Sequence, residues 1–145
     1  MLSPRSERNL QGVHKDLVSV VRLAGKRADF IVTEGVRTMG RQKQLVAAGA
    51  SKTLNSRHLT GHAIDVAALV DGDVRWDWEL YVAIANVMKD AAKELKIPVE
   101  WGGTWRLLNT VDGPITSKML SRSFPDGPHF QLPLSQYPAS QGRVV

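Results

Sequence analysis

Apolar positions set the first outline of this chain. From Ser6 to Ala28, Leu10, Val13, Leu17, Val20, Val21 and Ala24 recur at helical spacing, which predicts one amphipathic helix with His14 in a structural role. Phe30-Ile31-Val32 reads as a short buried strand. A second helical pattern opens at Arg37-Thr38 and runs through Gln42, Leu45, Val46 and Ala48 to a glycine terminator at Gly49. A polar loop from Ala50 to Asn55 follows. Ala63 to Leu69 alternates as a strand, and Asp71-Gly72-Asp73 signals a hairpin turn. Asp77 caps a long helix reaching about Leu95, with Leu80, Ile84, Val87, Met88, Ala91 and Leu95 on one face. Val99-Glu100-Trp101 and His129-Phe130-Gln131-Leu132 read as further strands, separated by an irregular stretch from Arg106 to Pro125 in which Asp112-Gly113 makes a turn. The tail from Pro133 wraps the surface or frays. The expected fold class is α+β: a small, mostly antiparallel sheet packed against two or three helices, in a single domain over residues 1–145 with no separate cell-wall-binding domain.

Composition narrows the chemistry. The 145 residues are 43% hydrophobic and 23% charged, ordinary for one folded domain with a sizeable core. Cysteine is absent, so disulfides and thiolate metal ligands are excluded, and any metal site must use His and carboxylate. The net charge of +5 favours anionic partners, but the basic residues are scattered among acids. No basic cluster with interleaved aromatics points to nucleic acid. No run is long enough to span a bilayer, and the N-terminus lacks the apolar core of a secretory signal, so synthesis and folding are expected in a cytoplasm.

Two segments carry the chemistry. Ser56-Arg57-His58-Leu59-Thr60-Gly61-His62-Ala63-Ile64-Asp65 offers a histidine and an aspartate across a glycine turn. Asp126-Gly127-Pro128-His129 offers a second histidine behind a free carboxylate. His58, Asp65 and His129 make a mixed N/O ligand set that leaves a fourth position open on zinc. Alternation puts Asp65 and His129 on matching faces of their strands, opposite each other if those strands are neighbours. Asp126, three residues before a ligand, is placed to move the proton of an attacking water. His62 is excluded from the ligand set. Gly61 favours a turn over a helix face shared with His58, and Leu59 stands where a helical zinc motif needs glutamate; His62 is assigned to the rim. Trp101 and Trp105 are candidates for lining the cleft, whereas Trp76 and Trp78, flanking a helix start, read as packing residues.

The pattern Ser56-x-His58-x-x-Gly61-x-Ala63-x-Asp65 with Asp126-x-x-His129 resembles the D-Ala-D-Ala carboxypeptidase-like zinc peptidases. It is most similar to the L-alanyl-D-glutamate peptidases used as bacteriophage endolysins. The resemblance runs from about Phe30 to Leu132 and takes in Glu34-Gly35-Val36-Arg37-Thr38 and Trp101-Gly102-Gly103-Thr104-Trp105. It implies one Zn2+ held by His58, Asp65 and His129, with Asp126 as general base and then acid. Arg37 would stabilise the oxyanion, and Ser56 would orient the site and contact substrate. The implied substrate is the peptidoglycan stem peptide, cut by a monomer that depends on a holin-type membrane-permeabilising protein to reach it. Where many relatives carry an acid this chain has Thr104. Its stretch from Arg106 to Ser123 is longer than in compact members and reads as a specificity loop or lid. The rival readings are a D-Ala-D-Ala dipeptidase or carboxypeptidase, and a non-catalytic, zinc-stabilised wall-binding or virion module.

Overall fold

The computed structural model describes residues 1–51, 53 and 56–138. Parts of the expected 50–55 loop, and the end of the tail, lie outside the described residues. Strands β1 (Phe30–Glu34), β2 (Ala63–Val70), β3 (Asp73–Arg75), β4 (Glu100–Trp101), β5 (Arg106–Leu107) and β6 (His129–Gln131) form one antiparallel sheet. Its order is β1-β2-β6-β4-β5, with β3 also paired to β2. Helices are α1 (Pro4–Asn9), α2 (Lys15–Gly25), α3 (Met39–Ala47) and α4 (Trp78–Leu95).

Alternation gives the sheet one apolar face. Phe30 and Val32 pair with Ala68 and Val66, Phe130 pairs with Ile64, and Trp101 pairs with Phe130. All are buried, and α2 and α4 contribute Leu17, Val20, Val21, Ile84, Ala85 and Met88 to the same core. Trp101 and Phe130 stack with ring centroids 6.3 Å apart. Truncating either to alanine costs about 3–5 kcal/mol. Trp101 is fully buried and donates its indole N–H to Gly127 O at 2.7 Å. This corrects its expected place in the cleft: the β4–β6 register puts Trp101 on the core face, and its neighbour Glu100 on the other.

The expected single N-terminal helix is two. Gly12 takes a left-handed φ of +81°, and His14 caps α2 by accepting from Asp16 N through Nδ1. The break has a tertiary cause. Gly61, also left-handed, brings its backbone so close that a Cβ there would lie 2.6 Å from Gly12 O, and His14 N donates to Gly61 O at 2.8 Å. A continuous helix would leave no room for the turn that follows His58. Helix α1 instead shields the edge of β1: Ser6 Oγ accepts from Val32 N and Asn9 Nδ2 donates to Val32 O, pairing backbone groups that would otherwise be a free sheet edge.

Smaller corrections have local causes. The helix opened by Arg37-Thr38 begins at Met39, with Thr38 as its cap accepting from Arg41 N. Asp77 occupies the N-cap of α4, but its carboxylate binds Arg75 at 2.6 Å instead of an amide. Trp76 is largely exposed, stacking flat on Tyr81, and Trp78 is exposed over less than half its surface. The tail to residue 138 wraps the surface: Tyr137 donates to Asp16, and Arg57 donates to the carbonyls of Leu132 and Tyr137.

Candidate metal centre and cleft

On the sheet face opposite the core, register brings the polar residues together. Asp65 pairs with His129, and Gln131 pairs with both Ala63 and Glu100. The expected pairing of the Asp65 and His129 strands is therefore present. Glu34 joins this face through a β-bulge. Val32 opposes Val66 but Glu34 opposes Asp65, so the extra residue turns Glu34 away from the core side it would otherwise share with Val32.

His58 arrives from a short 3-10 turn, Arg57–Thr60, capped by Ser56, whose Oγ accepts from His58 N at 3.2 Å. Its Nε2 stands 3.2 Å from Asp65 Oδ1, and its Nδ1–H donates to Gly35 O at 2.8 Å. His129 mirrors it, with Nδ1 3.3 Å from the same Asp65 oxygen and Nε2 2.7 Å from Gln131 Oε1. One potential ligand atom from each of His58, Asp65 and His129 lies within 4.8 Å of the others. Each imidazole turns its outer nitrogen to an oxygen acceptor and its inner nitrogen to the Asp65 carboxylate. Lone pairs then converge on one point, where only a cation or a proton relieves their repulsion. That donor set, imidazole plus carboxylate with the outer nitrogens anchored, fits a divalent metal.

Asp126 is held beside the centre by its backbone, its N–H donating to Gly102 O at 2.9 Å while its carbonyl accepts from His129 N. Burial first, and the Asp65 charge second, push its carboxyl above the ordinary range, which favours a group that both takes and returns a proton. Burial works to raise Asp65 too. Without a metal, protons on the inner nitrogens let His129 and His58 donate to Asp65, and these bonds outweigh burial and hold its carboxyl far below the usual carboxylate range.

Arg37 is nearly buried and forks onto Glu34 with two bonds of 2.7 Å. It also lies 3.6 Å from Asp65 Oδ2 and donates to Gln42 Oε1 at 2.8 Å. Burial opposes its charge, but Glu34, Asp65 and Asp126 together raise its pKa. Arg37 thus both braces the loop and faces the centre. Gln42, fully buried, donates onward to Ser51 Oγ and Thr53 O, tying the arginine to one rim of the cleft.

The cleft has a volume of about 1110 Å³ and is lined by Glu34, Arg37, Ser56, His58, Asp65, Asp126 and His129. Leu45 and residues 49–51 form one wall, and Ser121, Ser123, Phe124 and Pro125 form another. The segment expected as a specificity loop or lid therefore supplies part of the wall. Trp105 also lines the cleft, its ring centroid 5.6 Å from that of His129 and its Nε1–H donating to Phe124 O at 2.9 Å. Trp105 and Phe124 are both left-handed, a strain of about 1–2 kcal/mol for each such residue. Thr104, by contrast, is buried and caps Arg106 N.

His62 is not on the rim. It is fully buried behind the turn, 2.7 Å from Thr60 Oγ1 through Nδ1 and packed against His14 and Tyr137. Its exclusion from the ligand group stands. Sequence reasoning assigned no role to Glu34, Gln42, Glu100 or Gln131. Strand parity carried a signal for Gln131, which shares a face with His129. The bulge hid Glu34.

A sequence model of the phage L-alanyl-D-glutamate peptidase family matches residues 1–133. The chain is 32% identical over 133 residues to the L-alanyl-D-glutamate peptidase of Escherichia phage T5, covering 88% of this chain and 93% of that protein. It is 34% identical over 97 residues to the peptidoglycan L-alanyl-D-glutamate endopeptidase CwlK of Bacillus subtilis (strain 168), covering 57% and 58% of the two chains. The crystal structure of Serratia marcescens L-Ala D-Glu endopeptidase ChiX is similar at a TM-score of 0.80 and 47% identity, covering 94% of this chain and 92% of that one. Sequence, fold and clustered ligand residues agree, and the chain belongs to the phage L-alanyl-D-glutamate peptidase family.

Proposed function

We propose that this chain is a zinc-dependent peptidoglycan endopeptidase of the endolysin type, hydrolysing the L-alanyl-D-glutamate bond of stem peptides. The observation that carries the reading is the meeting of His58, Asp65 and His129 on the floor of a cleft that Asp126 and Arg37 also line. Relatives bearing that activity in their names support the choice of bond.

His58, Asp65 and His129 would hold the zinc, which supplies Lewis acidity toward the scissile carbonyl and makes water more acidic. Asp126 takes the proton from the attacking water and returns it to the leaving D-glutamyl amine. Its raised pKa suits both halves of that cycle. Arg37, pre-oriented by Glu34 and Gln42, stabilises negative charge as it develops on the carbonyl oxygen. Ser56 fixes the turn that aims His58, and Trp105 forms an apolar wall for the stem peptide. Among the described residues no helix is long and apolar enough to cross a membrane. We assign access to the cell envelope to a holin-type membrane-permeabilising partner, and the working form to a monomer.

Digestion of purified peptidoglycan with mass spectrometry of the new termini tests the reading. Free N-terminal D-glutamate, lost on chelation, is expected. Release of D-alanine instead would identify a carboxypeptidase or dipeptidase. Asp126→Ala should retain zinc and lose turnover, and unchanged lytic activity would overturn the role of Asp126; a zinc-loaded wild type that cuts no bond would support a non-catalytic wall-binding or virion module.

A further inference from the structure

The inner nitrogen of His129 can bind a cation only if the ring's proton sits on the outer one, and the outer one faces Gln131. A glutamine amide has two orientations, one presenting oxygen and the other NH2, so this contact alone leaves the tautomer open. The next residue along decides it. Gln131 Nε2 lies 2.9 Å from Glu100 Oε1, across the β4–β6 pair where the two residues are in direct register. A carboxylate offers only acceptors, so the amide must turn its NH2 to Glu100 and its oxygen to His129. The oxygen in turn accepts only, which places a proton on His129 Nε2 and leaves Nδ1, 3.3 Å from Asp65 Oδ1, as the nitrogen that faces the cation.

We propose that Glu100 and Gln131 are positioning residues that lock His129 in its metal-ligating tautomer. The charge of Glu100 acts through two hydrogen bonds on a centre it does not touch. The inference rests on the zinc reading of the His58, Asp65 and His129 group. With Glu100 neutral and amide-like, Gln131 is free to turn over, and its NH2 then demands a lone pair on Nε2 and moves the ring proton to the position the metal needs. Losses at such outer partners typically run 10–100-fold in metal affinity.

The test measures zinc affinity of folded, metal-stripped protein by competition with a chromophoric chelator, with circular dichroism confirming the fold. Gln131→Ala and Glu100→Gln should each weaken zinc binding by about 10–100-fold. The double variant Glu100→Gln with Gln131→Glu puts the obligate acceptor directly against His129 and the amide behind it. It should return affinity to near the wild-type value. Wild-type affinity in Glu100→Gln, or a double variant no better than Glu100→Gln alone, overturns the proposal. If Gln131→Ala does not fold, the Glu100→Gln and double-variant pair still decides. Nitrogen-15 spectra of the metal-free protein should show His129 Nε2 protonated, and a ring whose Nε2 carries no proton is equally fatal. A wild type that bound no zinc would sink the zinc reading, while the spectra would still judge the tautomer.

Discussion

Replacing Gly102 by alanine should lower the rate by about 100-fold in a protein that still folds. Gly102 sits at the end of β4, where its N–H donates to His129 O at 2.8 Å and its carbonyl accepts from Asp126 N at 2.9 Å. A Cβ added there would fall deep inside contact with the Asp126 carbonyl oxygen, 3.0 Å from Asp126 Cβ and 3.1 Å from His129 Cβ. All three atoms are bonded directly to backbone and cannot rotate aside. Restoring contacts of about 3.5 Å requires the turn carrying Asp126 to retreat by about 1 Å. Over-packing of this kind costs about 1–3 kcal/mol of stability. Moving a proton-transfer group by about 1 Å costs on the order of 10²-fold in rate, or about 2.7 kcal/mol in the barrier. The assay is release of D-glutamate N-termini from a synthetic muropeptide, with thermal unfolding and bound zinc measured on the same preparation. The expected variant is folded and zinc-loaded with kcat/KM down about 100-fold. Activity within threefold of wild type in a folded, zinc-loaded variant would refute the claim that Gly102 sets the position of Asp126.

Arg37→Lys gives up the fork onto Glu34, and should lower kcat by about 10²–10³-fold while zinc affinity, measured by chelator competition, stays within a few-fold. His62, buried and further discouraged from charging by Arg57 and His14, has its pKa depressed to about 4. Its contribution to stability is complete above the unfolded value of about 6.5 and drains as pH falls toward 4, by roughly 2–3 kcal/mol. In His62→Phe, thermal unfolding between pH 7 and 4.5 should lose that part of the acid slope; an unchanged slope refutes the assignment. Asp126 has the opposite sign. Its raised pKa means that ionisation costs stability as pH rises through the folded value, a cost absent below the unfolded one. Metal-free Asp126→Asn should therefore unfold at a higher temperature than metal-free wild type at pH 7, with the advantage gone below about pH 4. Chelation should abolish activity and lower the unfolding temperature, and zinc at 100 times its Kd should return about 2.7 kcal/mol.

What could be read from the sequence was what two-residue and 3.6-residue periods encode. The alternation of Ala63, Asp65 and Ala67 against Ile64 and Val66 predicted both the core face of β2 and the meeting of Asp65 with His129. Periodicity failed where tertiary contact overrode it. Leu10, Val13 and Leu17 continue a helical spacing straight through the break at Gly12, because all three still face the core while the backbone between them yields to Gly61. Trp101 was misplaced because a strand of two residues contains no alternation to read. Its side is set by Phe130 across the ladder, a long-range fact. Glu34 was invisible as a site residue because parity counted from Val32 sends it to the core, and only the bulge reverses that.

The charges around the centre supply an argument independent of ligand geometry. Glu34, Asp65 and Asp126 line the same cleft, and Arg37 is the guanidinium set among them. Glu34 is neutralised by its two bonds to Arg37, which hold its carboxyl below the usual range despite burial. Asp65 and Asp126 are left as two carboxylates sharing a poorly solvated space, and burial first, with the Asp65 charge second, raises the pKa of Asp126. A divalent cation beside Asp65 offsets both charges at once. The same cation relieves the converging imidazole lone pairs, so one species answers two unrelated problems in the chain. A fold that needed only a brace at this position would be better served by losing Asp126, since removing one carboxylate resolves the repulsion without any metal. The proposed function gives the carboxylate work to do beside the cation, and the work its position allows is proton transfer.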